Sequence, residues 1–175
     1  MRSRFAKGAA SAITLLVMSP LAAQETSNNQ VAAKTDWSVF EDRDPRECWA
    51  VSVPRETVNT QDGEVVKVRR SEILLMAYFR PEAGASGQVT FTGGYPFASG
   101  STVNLDIDGN KFELFTEGEW AWPASTSDDA KILTALKRGS EAVLTARSAR
   151  GTQTKDTFSL SGFTAAVEDA EKRCK

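Results

Sequence analysis

Cys48 and Cys174 are the only thiols in this 175-residue chain, and the chain has no histidine. These two facts bound its chemistry. Without histidine there is no Ser-His-Asp or Cys-His nucleophile and no histidine-ligated catalytic zinc. Two thiolates alone make a poor metal site. A Ser-Lys dyad or a carboxylate pair needs no histidine, but no sequence motif marks either one. Asp106-Ile107-Asp108-Gly109-Asn110 has a trace of a calcium loop. It lacks the spacing to glycine and the distal glutamate that such a loop needs, and a hairpin turn accounts for every residue in it. No catalytic residue, metal ligand or cofactor is assigned. A reactive free thiol would need a neighbouring base or a positive pocket, and neither is visible beside either cysteine.

Two groups of residues have types suited to binding. Trp120 and Trp122, with Tyr95 nearby in Tyr95-Pro96-Phe97, concentrate aromatics near expected loops. Exposed, they would stack on a sugar ring or anchor a partner protein; buried, they are core and loop packing, which is the plainer expectation. Arg147 and Arg150, with Lys155, surround a turn at Ser148-Ala149-Arg150-Gly151-Thr152. They form either an anion-binding patch or a solvated turn paired with the adjacent Asp156.

The elements that must position these residues begin after a targeting segment. Residues 1–23 carry Arg2, Arg4 and Lys7, a short apolar run from Ala9 to Met18, and small residues at Ala22-Ala23. That is the pattern of a cleaved secretion signal. The apolar run is about half of the roughly 20 residues a spanning helix needs, so no transmembrane segment is expected in the mature chain. Cleavage after Ala23 shifts the formal net charge from −2 to about −5, a poor match for a nucleic-acid backbone. In the oxidising compartment that secretion implies, a single cysteine pair is most simply a disulfide. It would close a loop of about 125 residues.

Residues 24–36 are polar and aperiodic and read as a flexible leader. Residues 37–175 read as one domain, mainly β: a β-sandwich of short antiparallel strands with two short helices. Cys48, Ala50 and Ser52 alternate with Trp49, Val51 and Val53 in a strand. Further strands are expected over Val65–Val68, Ser71–Phe79, Gln88–Thr92, Thr102–Ile107, Lys111–Phe115, Glu141–Ser148 and Asp156–Leu160. Asp108-Gly109 joins two of them as a tight hairpin. One helix is expected to open at Ser127-Asp128-Asp129, with Thr126 and Asp129 in capping-box spacing, and to close with a glycine cap at Gly139. The other spans Gly162–Arg173 and places Phe163, Ala166, Val167, Ala170 and Cys174 on one face. Cys174 therefore points inward. Cys48 shares its strand face with small residues that leave room for a helix, so the C-terminal helix is expected to be tied by Cys48–Cys174 to that early strand.

Several short runs occur in a characteristic order: Cys48-Trp49-Ala50-Val51-Ser52, Gly94-Tyr95-Pro96-Phe97, Ile107-Asp108-Gly109, Ala121-Trp122-Pro123 and Lys137-Arg138-Gly139-Ser140. Ser148-Ala149-Arg150-Gly151-Thr152, Asp156 through Phe163, and Cys174 follow. Together they resemble the invasion-associated locus B family of Gram-negative bacteria, over nearly all of Trp37 to Cys174. The resemblance implies a small exported envelope protein, broadly β-sandwich in build and without a family-wide catalytic or ligand site to carry over. It implies a periplasmic or cell-surface location, and an unknown protein partner in the envelope or on a host cell, with a part in host-cell association or virulence. A periplasmic glycan or small-molecule binding module is the alternative, with Trp120 and Trp122 as its platform.

Overall fold

A computed structural model describes residues 29–175. The expected secretion signal, residues 1–23, and the first residues of the expected leader lie outside that range. The strands are β1 (Gln30–Lys34), β2 (Trp37–Arg43), β3 (Arg46–Ser52), β4 (Glu56–Gln61), β5 (Glu64–Val65) and β6 (Leu74–Arg80). They continue with β7 (Ala85–Thr92), β8 (Thr102–Ile107), β9 (Asn110–Glu117), β10 (Trp120–Trp122), β11 (Glu141–Arg147) and β12 (Gln153–Ser159). Helix α1 (Thr126–Arg138) precedes β11, and α2 (Phe163–Arg173) ends the fold.

All twelve strands belong to one antiparallel sheet, in the order β1-β2-β3-β6-β7-β10-β9-β8-β11-β12-β4-β5. The expected antiparallel β-fold with two helices is present, and its layering comes from a single sheet that curls over. Two contacts record the curl. Phe91 of β7 meets Phe158 of β12 edge-on at 6.2 Å, although four strands separate them in the sheet. Trp37 of β2 donates its indole N–H to the Ser159 carbonyl of β12 at 3.0 Å. Strand alternation then sorts the side chains. Val39, Cys48, Ala50, Leu75, Ala77, Val89, Phe91, Leu105, Leu144 and Phe158 point inward and are fully buried.

Helix α2 covers the inner face of β2 and β3. Its inward stripe is the one its spacing predicts: Phe163, Ala166, Val167, Ala170 and Cys174 are all buried. Phe163 meets Trp37 edge-on at 4.7 Å. Cys174 is bonded to Cys48, and the small side chains of Cys48, Ala50 and Ser52 make room for the helix. Charged groups hold its far side. Asp169 accepts from Lys34 at 3.0 Å and Arg173 at 2.7 Å, and Arg173 also reaches Glu41 at 3.3 Å. Burial pushes the Asp169 carboxyl up, but these two cationic hydrogen bonds outweigh it and hold it below the usual range.

Three local expectations are corrected. The leader is not flexible throughout residues 24–36: Gln30–Lys34 form β1, whose Ala32, Ala33 and Lys34 pair with β2. Gly162 explains part of that order. It caps α2 with φ near 90°, and a Cβ there would lie 1.9 Å from the Lys34 carbonyl, so the helix start and the end of β1 close directly on each other. Helix α1 is capped by Ser125, not by the Thr126–Ser127 pair, and the box is Ser125 with Asp128. Asp129 is thereby free for another task. It is buried, and it accepts the Val89 N–H at 2.8 Å where the short β10 has ended and no strand remains to take it. Gly139 has φ −82° and is no left-handed cap; a Cβ there would lie 2.7 Å from Ile107. The Asp108-Gly109 turn forms as expected, with φ of 47° and 92°. Asp108 accepts the N–H groups of Ser140 and Glu141, which ties this hairpin to the start of β11.

Phe163→Ala removes a large buried ring from the α2 stripe and is expected to cost about 3–5 kcal/mol in urea unfolding. Glu168→Ala, exposed and joined among the described residues only to Lys137 at 3.7 Å, is expected to change stability by less than about 0.5 kcal/mol. Similar losses from the two substitutions would contradict the assigned helix face.

Candidate functional site

The same alternation that sends small side chains of β3 inward sends large ones outward. Phe40 of β2, Trp49 of β3 and Tyr78 of β6 are register partners on the outer face. Phe40 and Trp49 stack at 5.4 Å with planes 6° apart, and Trp49 and Tyr78 at 5.7 Å. The Arg80 guanidinium lies 4.4 Å from the Tyr78 ring centre and 3.5 Å from the Glu47 carboxylate. Burial raises the Tyr78 hydroxyl above its ordinary range, with Arg80 pulling the other way.

Beyond Tyr78 the face continues through Gln88 and Thr90 of β7 to Trp120 and Trp122 of β10, which with Tyr78 and Arg80 line an open groove of ≈ 340 Å³. Trp120 is 44% exposed and Trp122 half-buried. Trp122 pairs across β10–β9 with Phe115, which is 50% exposed. The tryptophans are therefore not the core pair that burial would have made them. Two residues apart on an extended strand, they share one face, and that face is outward. The aromatics stand on five of six adjacent strands, with β7 contributing Gln88 and Thr90 between them, and span a width of about 24 Å at the usual strand spacing.

Tyr95 lies elsewhere. It lines a separate cleft of ≈ 450 Å³ with Arg150, between the irregular segment 66–73 and the Ser148–Thr152 turn. Its hydroxyl shares a 2.5 Å hydrogen bond with Thr154. Beneath it sits a buried ion pair: Arg70 donates to both Asp156 oxygens, at 2.7 and 2.6 Å, and also to the Gly93 carbonyl and the Asn59 side chain. The Arg70 guanidinium is 5.0 Å from the Tyr95 ring centre. Burial raises both the Tyr95 hydroxyl and the Asp156 carboxyl, with Arg70 drawing each downward. Asp156 is thus taken by Arg70 and does not neutralise Arg147, Arg150 or Lys155. Arg147 faces a third cavity with Thr60, Asp62 and Gln153. The five candidate binding residues therefore divide among three places: Trp120 with Trp122, Tyr95 with Arg150, and Arg147 alone.

Sequence reasoning missed Phe40, Tyr78, Arg69, Arg70 and the role of Asp156. The outward aromatics had a signal, since the small-residue face of β3 leaves Trp49 on the opposite side. Arg69 and Arg70 were masked by the alternation of Val66-Lys67-Val68, which reads as a strand; only Glu64–Val65 is one. Among the described residues, no three cysteine or acidic side chains gather as metal ligands, and no helix is long and apolar enough to cross a membrane.

A curled antiparallel sheet, closed by a disulfide-tied terminal helix, defines a small β-rich domain. The family model of the invasion associated locus B (IalB) protein matches residues 37–171, and the chain belongs to that family. The crystal structure of invasion-associated protein B from Bartonella henselae is similar, with a TM-score of 0.53 and 15% sequence identity. The match covers 79% of this chain and 94% of that one, and at this identity it is a likeness of fold. No functionally curated protein matches the chain.

Asp156→Asn keeps the shape of the side chain but leaves the buried Arg70 charge without its counterion. It is expected to destabilise the protein by about 3–5 kcal/mol in denaturant unfolding. A loss below about 1 kcal/mol would contradict the assignment of Arg70–Asp156 as a buried, mutually dependent pair.

Proposed function

We propose that this protein is exported to the cell envelope and acts there without catalysis, by docking a partner protein on the outer aromatic face of its sheet. The observation that carries this reading is the row Phe40, Trp49, Tyr78, Trp122 and Phe115, with the exposed Trp120. Solvent-facing sheet surfaces are ordinarily polar, and aromatic side chains are the residues that anchor protein interfaces. The face is broad and shallow, which suits a protein surface better than a small molecule, and it lies on strands made rigid by the core behind them. The signal-like N-terminus and the buried disulfide support export to an oxidising compartment, the periplasm or the cell surface. A part in host-cell association rests on the family's name and that of its Bartonella member. The groove under Trp120 and Trp122 supports a second reading, a glycan platform, because Gln88, Thr90 and Arg80 place polar groups beside the rings.

The mature protein is to be used as bait on envelope extract, beside the Trp120→Ala/Phe115→Ala variant and a glycan array. Loss of capture by about tenfold or more, with an unchanged unfolding midpoint, is the expected result. Capture that survives both substitutions would contradict docking on this face. Array binding that depends on Trp120, without protein capture, would replace the partner protein with a glycan.

A further inference from the structure

The cleft around Tyr95 has features that the docking face does not need. Its floor is the Arg70–Asp156 pair, with side chains only 6% and 0% exposed. A buried ion pair is costly to desolvate, and apolar residues of the same volume often serve stability as well or better. Here the pair lies directly beneath an open cavity. Arg70 donates to Asp156, Gly93 and Asn59 together, which fixes the irregular segment 66–73 against the sheet and holds its guanidinium beside the Tyr95 ring. The floor is therefore rigid before any ligand arrives.

The walls are of mixed chemistry. Arg69 stands on segment 66–73 and Arg150 on the opposite turn; both are exposed, and neither makes an ion pair or hydrogen bond among the described residues. Arg70 is already neutralised by Asp156, so these two supply the cleft's free positive charge, against one carboxylate, Glu119. The chain as a whole is acidic, with a formal charge of −2, which makes this a local exception able to concentrate anions. The Ser148 hydroxyl accepts the Thr152 N–H at 3.1 Å and retains its own proton to donate. Pro96 and Val68 add apolar surface.

We propose that this cleft binds an acidic saccharide, a sugar unit bearing a carboxylate or a phosphate. Guanidinium groups on two sides match the forked oxygens of either anion. Glu119 accepts hydrogen bonds from sugar hydroxyls, a role a simple anion would not use and would be repelled by. The apolar patches meet the C–H face of the ring. A cavity of ≈ 450 Å³ is too large for a lone phosphate and falls in the range of small-ligand sites. The site is independent of the aromatic docking face and stands or falls separately.

Calorimetric titration of the mature protein tests this with four probes: a glucuronate disaccharide, glucose 6-phosphate, an uncharged glucose disaccharide and inorganic phosphate. The expected result is binding of the glucuronate disaccharide, the sugar phosphate or both, weakened by salt, with the two acidic probes identifying which anion is preferred. The uncharged disaccharide and inorganic phosphate should each bind at least tenfold more weakly. Arg69→Gln/Arg150→Gln, at exposed positions, should reduce the binding tenfold or more at an unchanged unfolding midpoint. Equal binding of the uncharged disaccharide or of inorganic phosphate would overturn the proposal. So would the absence of binding by both acidic probes at millimolar concentration, or affinity indifferent to the two arginine substitutions.

Discussion

The fold depends on how closely α2 can approach β3. That approach is set by three small inward side chains, Cys48, Ala50 and Ser52, and is made permanent by the Cys48–Cys174 bond. A larger residue at any of them would lift the helix off the sheet. With the helix in place, Phe163 reaches Trp37, and Trp37 in turn reaches across to the β12 carbonyl of Ser159. One line of contact thus runs from the C-terminus through β3 and β2 to the far side of the curled sheet. The disulfide spans 126 residues, so it restricts the unfolded chain as well as pinning the helix. Around it, Lys34, Asp169, Arg173 and Glu41 form a partly exposed chain of ion pairs, and Arg46 donates to the Arg173 carbonyl. Such surface pairs add little stability individually, and their effect is mainly on orientation.

This constraint has a consequence for the opposite face. A strand has two sides, and once one is given to small residues beneath a helix, bulk is carried on the other. Trp49 therefore points outward, where its register partners Phe40 and Tyr78 stack on it. The core packing and the aromatic surface are two readings of the same alternation. The second surface arises differently. It lies where regular pairing stops: the 66–73 segment leaves the sheet, and a buried ion pair substitutes for the missing backbone ladder by fastening it to β12 and to Gly93. Asp129 does the same for α1 where β10 runs out. In both cases a buried carboxylate holds an element at a place where strand pairing cannot.

These distinctions explain what was legible in the residues alone. The α2 stripe, the inward Cys174, the small face around Cys48 and the Asp108-Gly109 hairpin are local patterns, fixed by a helical or strand period or by the φ a turn requires, and they could be read directly. The order of β1 was hidden because it comes from pairing with β2 and from the approach of Gly162, neither of which leaves a periodic trace in the polar Gln30–Lys34. Asp129 looked like an ordinary first-turn acid until the length of β10 was known. Arg70 and Asp156 are 86 residues apart and meet because β12 pairs with β4, beside the strand that leads into segment 66–73. The candidate binding residues showed the same divide: Trp120 and Trp122 keep company through local spacing, while topology brought Tyr95 to Arg150 and left Arg147 in a different cavity.

Native-state hydrogen exchange on the disulfide-intact and the reduced protein tests the central claim most directly, because it reads stability element by element. If α2 clamps the sheet through Cys48, reduction should release protection in α2, β1, β2 and β3 first and by the largest factor, while β8, β11 and β12 keep theirs until global unfolding. Protection lost evenly across the whole sheet, or unchanged in α2 after reduction, would contradict the account.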